Sequence, residues 1–421
     1  MSTSSHAAPL TASASSHCRS CDAPLQAVLV DLGTTPLAND LISPEDLGQP
    51  ETYYPLLALV CGQCFLVQLE EFVAPENIFN DYVYFSSYSQ SWLRHAQAYV
   101  EMISDRLALG TDSFVVEIAS NDGYLLKNFV ARGTRCLGIE PARNVADAAR
   151  SLGVATECSF FGKGTAEDIA ARHGMADLIV ANNVLAHTPD LNDFIAGFER
   201  LLAPGGTITI EAPHVLNLLE QAQFDTIYHE HFSYLSLLAV DNAMTRHGLK
   251  VFDVDELKTH GGSLRYYVCH SPGEPESDNV ARVREREARA GLDQLGTYEG
   301  FQARARRIKF DLIDFLLQAA RDGKTVACYG AAAKGNTLLN YCGIDHDLIA
   351  FAVDRNPHKQ GQHLPGSRIP ILAPEQLFFL KPDYLLILPW NLKEEIMGEV
   401  EGVRKWGCRF VWAIPELEIA P

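Results

Sequence analysis

The sequence has no excess of positive charge: 34 Lys and Arg stand against 53 Asp and Glu, a formal net charge of −19. A field of that sign repels polyphosphate chains, so nucleic-acid binding is excluded as a general function; a small phosphorylated ligand held by local donors is not. Nor is there an apolar run of about eighteen residues, so no membrane-spanning helix is expected. Residues 1–17, rich in Ser and Ala, have neither a basic n-region nor an apolar h-region. They read as a disordered leader and not as a secretory signal. Cysteine is not scarce. Ten are present, and without a secretory signal they belong in a reducing cytosol, where paired cysteines point to a metal before a disulfide.

A chain of 421 residues exceeds one ordinary core and divides into two or three domains. The first, 18–80, holds Cys18-Arg-Ser-Cys21 and Cys61-Gly-Gln-Cys64. Two such knuckles turn four thiolates toward one point and close a tetrahedral zinc site, with no position left open for catalysis. The metal is therefore structural, and replacing Cys61 should unfold this segment without altering chemistry elsewhere.

From 81 to 272, apolar strands alternate with amphipathic helices: "SFVVEIASNDGYLLKNF" (113–129), "TRCLGIEPARNVADAAR" (134–150), "ADLIVANNVLAHTPDLNDFIAGFERLL" (176–202) and "GGTITIEAPH" (205–214). This pattern is that of a doubly wound α/β sheet with ligands at the carboxyl ends of its strands. "LKVFDVDELKTHGGSLRYYVCH" (249–270) reads as an antiparallel hairpin with Gly261-Gly262 near its turn. In 273–421, a charged helical stretch (278–323) leads into a second α/β pattern, which begins with "KTVACYGAAAKGNTLLNY" (324–341).

Glu117 beside the first turn and Glu140 at the end of the next strand suit the ribose of an adenosine cofactor, NAD or S-adenosylmethionine. The turn "EIASNDGYLL" lacks the GxGxxG pattern that seats a pyrophosphate. S-adenosylmethionine, cationic and without phosphate, fits this acidic edge better. Asn121, Gly123, Asn182 and Asn183 complete the expected cofactor set.

The two CxxC pairs, "VEIASNDGYLL", "YHEHFSYLS", "HGGSLR" and "YGAAAKGNTLLNY" occur together and in this order. In this the chain resembles the bacterial deoxysugar C-methyltransferases over all but its leader. The resemblance implies a zinc-binding domain, a class I methyltransferase core, and a C-terminal Rossmann-like domain. It also implies a dTDP-linked ketosugar in the cleft between the last two, a step of antibiotic biosynthesis. Methylating carbon needs a base for the carbon acid and donors for the enolate oxygen. The resemblance brings Tyr82, His187, Tyr228, Glu230 and His231 together, with His231 as base and Glu230 orienting or tuning it. His187 is a second candidate base. Lys334, Asn336 and Thr337, in the turn and helix start of the third segment, suit phosphate. Asp354 suits ribose hydroxyls. Asn217, His260, Gly262, Ser263 and Arg265 face the same cleft. Three alternatives remain at this point: an NAD-dependent dehydrogenase or epimerase using Asp354, a His229/His231 metal pair, and a non-enzymatic zinc-containing binding module. The oligomeric state is left open.

Overall fold

The structure, a computed structural model, describes residues 16–74 and 86–421. Tyr82 and residues 1–15 lie outside the described residues. Ser16 and His17, expected in the leader, pack with the zinc-bearing domain: His17 bridges Pro24, and the Leu25 N–H donates to the Ser16 carbonyl.

The zinc-bearing domain is built around two copies of one knuckle. In each, the first cysteine N–H donates across the turn (Cys18 to the Ala23 carbonyl, Cys61 to that of Leu66), and its own carbonyl accepts from the fifth residue (Asp22, Phe65). Both fifth residues are left-handed, with φ of 61° and 58°. Strands β1 (Ala27–Thr35), β2 (Tyr54–Val60) and β3 (Val67–Leu69) form an antiparallel sheet whose fourth strand, Ser233–Tyr234, comes from the middle of the chain. Because side chains alternate across a strand, the two faces of β2 enter different cores. Leu56, Ala58 and Val60 join the core of the C-terminal domain, while Leu57 and Leu59 join that of the middle domain. The small sheet is thus a shared wall and not an appendage. This packing argues against the expectation that loss of Cys61 would spare chemistry elsewhere.

The middle sheet contains β4 (Phe114–Ile118), β5 (Arg135–Ile139), β6 (Thr156–Glu157), β7 (Ala176–Asn182) and β8 (Leu202–Pro213). Ser233–Tyr234 is β9, and β10 (Leu249–Leu257) and β11 (Ser263–His270) follow. The spatial order is β10-β11-β8-β7-β4-β5-β6, with β11 antiparallel to both neighbours. This is the class I methyltransferase arrangement. All five residues of β4 are buried, as parallel strands covered on both faces require.

The charged stretch forms two helices, Asp278–Ala290 and Phe301–Arg321, broken at Gly291 with φ 76°. Val280 and Val283 of the first bury in the middle core, whereas Phe301, Ile308 and Leu312 of the second enter the C-terminal core. The last sheet comprises β12 (Val326–Tyr329), β13 (Ala352–Val353), β14 (Ile371–Leu372), β15 (Tyr384–Ile387), β16 (Arg409–Trp412) and β17 (Glu418–Ala420). Their order is β14-β13-β12-β15-β16-β17, Rossmann-like, with only β17 antiparallel. Among the described residues no helix is long and apolar enough to cross a membrane.

Candidate active site

The thiolates of Cys18, Cys21, Cys61 and Cys64 lie within 4.8 Å of one another, with Cys18–Cys64 and Cys21–Cys61 sulfur pairs at 3.5 and 3.4 Å. Zinc–sulfur bonds of about 2.3 Å in a tetrahedron need sulfurs a little under about 4 Å apart, so the four residues fit the ion. Gln68 Nε2 donates to Cys18 Sγ, and the backbone N–H groups of Gln63 and Cys64 point at Cys61 Sγ. Such donors favour thiolate over thiol.

At the carboxyl edge of the middle sheet, the turn after β4 holds Ala119, Asn121 and Gly123 at φ of 55°, 48° and 75°. A Cβ on Gly123 would meet Val154 and Ala149 at 3.0 and 3.2 Å, so glycine is required there. Glu140 accepts from the Asn121 and Ala142 amides at 2.8 and 2.9 Å and so holds the turn itself; a carboxylate retains further acceptor capacity. The Asn121 and Asp122 side chains accept from the Ser86 and Ser87 amides. What remains is an array of acceptors: Glu117 Oε2, Asp122 Oδ1, Asn182 Oδ1 and Asn183 Oδ1 are buried with no hydrogen-bond partner among the described residues. Burial, then the Glu140 and Asp122 charges, pushes Glu117 well above the usual carboxylate range; burial likewise raises Glu140. An edge offering acceptors and two buried carboxylates fits a cationic, donor-rich ligand. S-adenosylmethionine, with its sulfonium, ammonium and ribose hydroxyls, is such a group, and when bound it supplies an electrophilic methyl.

The segment 224–236 crosses this edge. His231 Nδ1 lies 2.9 Å from the Thr226 carbonyl, an acceptor only, so Nδ1 carries the proton and Nε2 the lone pair. The Tyr228 hydroxyl donates to that lone pair at 2.8 Å. The His187 ring stands 4.7 Å from that of His231. Burial, then the neighbouring His187, drives His231 well below the ordinary histidine value; burial brings His187 to about 4. Both rings are neutral near pH 7, the state a base requires.

Glu230 has a different partner. Its Oε1 accepts from Asn39 Nδ2 at 2.7 Å, across the boundary with the zinc-bearing domain, and neither hydrogen bond of His231 involves it. The expectation that Glu230 orients His231 is thereby corrected: His229 and Glu230 lie in the middle of a tight turn closed by the His231 amide on the Tyr228 carbonyl at 2.9 Å, and the side chains of Glu230 and His231 bond different partners. The two histidines of the motif likewise bond different partners. His229 Nε2 binds the Pro55 carbonyl, which removes the metal-pair reading.

Comparison with known proteins follows this geometry. Family models match along the chain: a zinc binding domain (18–79), a methyltransferase domain (92–254) and a C-methyltransferase C-terminal domain (258–415). C-methyltransferase NovU of Streptomyces niveus is 39% identical over 400 residues, 95% of each chain. The chain belongs to the C-methyltransferase family. Solved structures similar to it include an S-adenosylmethionine-dependent methyltransferase from Clostridium acetobutylicum, with TM-score 0.34 and 10% identity over 44% of this chain and 92% of that one. Another is magnesium protoporphyrin IX methyltransferase from Synechocystis with bound S-adenosylhomocysteine, with TM-score 0.34 and 14% identity over 43% and 83%. Membership makes the cofactor S-adenosylmethionine and sets aside the dehydrogenase and non-enzymatic readings.

In this C-methyltransferase the C-terminal domain meets the catalytic segment through Trp390. Its indole N–H donates to Asp225 Oδ2 at 2.7 Å, and Lys334 Nζ lies 4.7 Å from its ring centroid while donating to Asn391 Oδ1. Burial raises Asp225 to about 6, with Lys334 opposing. A Cβ on Gly261 would strike Trp390 at 2.6 Å, and one on Gly262 would strike Asn217 at 2.3 Å; the paired glycines of "HGGSLR" admit these two neighbours. Asn217 Oδ1 accepts from Arg286, and Ser263 Oγ donates to the Thr259 carbonyl. His260 stands with its ring 5.4 Å from Trp92 and is lowered to about 4 by burial first and Lys334 second. Thr337 Oγ1 approaches the Ala333 carbonyl, and buried Asn336 Oδ1 has no partner among the described residues. Asp354 accepts from the Ala331 and Asn356 amides.

Arg265 is placed differently from expectation: it donates to Glu211 Oε2 at 2.8 Å, inside the domain. His95 and Thr259 complete the ring around Glu211, which holds its charge at about 2 against burial. The sequence offered a signal for Glu211, a carboxylate inside the apolar strand "TITIEAP", since such a charge needs partners. Asp225 and Asn39 carried none that local spacing reveals.

Proposed function

We propose that this C-methyltransferase moves the methyl group of S-adenosylmethionine to a ring carbon next to the ketone of a nucleotide-linked deoxyketosugar. The substrate is dTDP-linked, and the step belongs to antibiotic deoxysugar biosynthesis in the cytosol. The observation that carries the reading is the state of His231: Nδ1–H fixed on the Thr226 carbonyl, Nε2 basic and the ring neutral, beside Tyr228 and His187 at the edge built for the cofactor. A carbon acid flanked by a carbonyl is what such a base serves, because an enolate supplies the electron pair that a saturated carbon lacks. In the proposed sequence, His231 Nε2 removes the α-proton and becomes imidazolium, and the Tyr228 hydroxyl turns from Nε2 toward the growing oxyanion; bound S-adenosylmethionine would supply the methyl group to the enolate carbon, the methyl–sulfur bond breaking to leave S-adenosylhomocysteine. Tyr82 belongs to the same pocket on the strength of the resemblance. The nucleotide is read on the C-terminal domain, where Lys334, Asn336 and Thr337 sit at the start of the helix Ala333–Cys342 and Asp354 ends the next strand.

The test is a mass-spectrometric screen of dTDP-ketosugars with isotopically labelled S-adenosylmethionine. A product gaining one methyl on carbon supports the reading. A product methylated on oxygen or nitrogen, or no product from any ketosugar, overturns it.

A further inference from the structure

Asn39 lies in the loop between β1 and β2 of the zinc-bearing domain. Two contacts pin that loop. Ile42 and His363 exchange backbone hydrogen bonds at 3.0 and 2.9 Å, joining it to the C-terminal domain, and Ala38 is buried. From this base the Asn39 side chain reaches Glu230 Oε1 at 2.7 Å. Glu230 is 4% exposed and sits where the three domains meet. On its third side lies Lys359, itself buried, whose Nζ donates to the Ala331 carbonyl at 2.7 Å. The flanking imidazoles of His229 and His231 are turned away onto the Pro55 and Thr226 carbonyls.

We propose that Asn39 is a positioning residue for Glu230: a side chain of the zinc-bearing domain fixes this carboxylate in the reaction pocket of the methyltransferase domain. The inference rests on Glu230 belonging to the pocket of the proposed methyl transfer. The physical case is direct. A buried carboxylate with one amide donor among the described residues draws on it for both orientation and charge, because a hydrogen bond to the ionised form favours that form. Burial raises Glu230 to about 7, and the Asn39 bond and the Lys359 charge are the two influences that lower it. Glu230 therefore sits near its midpoint at neutral pH, where loss of one donor changes its population most. Asn is suited to the place; Asp would set a second carboxylate against the first.

The experiment uses the full-length zinc-loaded protein and compares Asn39→Ala, Asn39→Asp and Asn39→Ser at matched zinc content and melting temperature. Carbon-13 NMR of the Glu230 carboxyl, assigned by its loss in Glu230→Gln, gives the midpoint without any substrate. The expected result is a midpoint raised in Asn39→Ala and raised further in Asn39→Asp. With a working substrate, kcat at pH 7 should fall roughly tenfold or more, KM for S-adenosylmethionine should hold, and activity should recover as pH is raised. Within a Glu230→Gln background, Asn39→Ala should change nothing more. If the alanine variant does not fold, Asn39→Ser carries the comparison. An unchanged Glu230 midpoint overturns the proposal, as does a kcat loss equal at every pH, the mark of a merely structural role. Should the wild-type protein methylate no ketosugar, the functional reading fails while the NMR comparison still decides the role of Asn39.

Discussion

Replacing His231 with Asn tests the proposed chemistry at the atom that performs it. The choice of Asn follows from the two bonds of the ring. Its amide can still donate to the Thr226 carbonyl, as Nδ1–H does at 2.9 Å, while the basic Nε2 disappears. The rings of Tyr228, His187 and Tyr234 at 4.0, 4.7 and 6.1 Å keep the space filled. Loss of a general base costs roughly 10²–10⁴ in rate, about 3–5 kcal/mol of barrier. Tyr228→Phe is the companion variant: it removes the hydroxyl that donates to Nε2 at 2.8 Å and that the proposed sequence turns toward the oxyanion, and should slow the reaction roughly 10²–10³-fold without ending exchange. The assay is solvent exchange: with ketosugar and S-adenosylhomocysteine in D₂O, deuterium should enter the α-position with wild-type protein and with Tyr228→Phe, and not with His231→Asn. Cofactor affinity should be nearly unchanged in all three. Because burial holds His231 below the ordinary histidine value, its lone pair is available throughout neutral pH, and its own part of the acid limb of kcat/KM should lie below pH 6.5, under the part that belongs to Glu230. Near-normal exchange in His231→Asn refutes the assignment, and a dead His187→Ala beside it names the other ring. Exchange abolished by Tyr228→Phe but retained by His231→Asn would make the phenol the proton acceptor. The rings of His187 and His231 touch, so their double variant should be non-additive.

Further outcomes follow from the same structure. Glu140→Ala should weaken S-adenosylmethionine by on the order of 1–3 kcal/mol and also lower the melting temperature, because the Asn121 and Ala142 amides lose their acceptor; calorimetry showing tight NAD binding and no S-adenosylmethionine binding would overturn the cofactor assignment. Freshly purified protein should carry one zinc per chain on Cys18, Cys21, Cys61 and Cys64. Stripping it should abolish methylation as well as local order, because β3 pairs with β9 beside the catalytic motif; full activity in zinc-free protein would refute that coupling. His187 and His260 are held at about 4, below their unfolded value near 6.5. Below pH 6.5 the unfolded chain takes up protons that the folded one refuses, so this part of the stability is present above pH 6.5 and lost as pH falls toward 4. Asp225 and Glu230, raised to about 6 and about 7, act in the opposite sense, so the clean measurement is a difference: His260→Asn should show a smaller drop in melting temperature between pH 7 and pH 5 than the parent protein.

What the sequence made legible was what local spacing determines. Two CxxC pairs specify a four-thiolate cluster because each knuckle is closed by bonds within six residues. The alternating strand and helix patterns specify two wound sheets because parallel strands need long apolar runs. The β10–β11 hairpin followed from its paired glycines. What stayed hidden was non-local. β9 is two residues long and finds its partner, β3, more than 160 residues earlier in the chain, so no window of sequence contains the pairing. Asn39 meets Glu230 across 191 positions from a loop with no motif. Arg265 read as a cleft cation because the charge of Glu211 sat unremarked in an apolar strand, although each is the other's partner. Glu230 and His231 read as neighbours because they are adjacent in sequence, but the turn that carries them gives each side chain a different partner.

The two wound sheets share a device that explains why acidic residues at strand ends are ambiguous signals. In the middle sheet, Glu140 takes the Asn121 amide on one oxygen and the Ala142 amide on the other. In the C-terminal sheet, Asp354 takes the Ala331 amide on one oxygen and the Asn356 amide on the other. Each carboxylate ties the first turn of its sheet to the start of the loop after the second strand, so both would be needed even with no ligand. The position alone therefore cannot tell a cofactor sheet from a substrate sheet; the groups around it do. Beside Glu140 are the buried acceptors Glu117, Asp122, Asn182 and Asn183, with no cation among them. Beside Asp354 are the ammonium groups of Lys359, on the Ala331 carbonyl, and Lys334, over Trp390. An edge of acceptors suits a cation and an edge with ammonium groups suits an anion. The proposed function accordingly sets a methyl-donating sulfonium and a nucleotide diphosphate on opposite sides of the segment that carries His231.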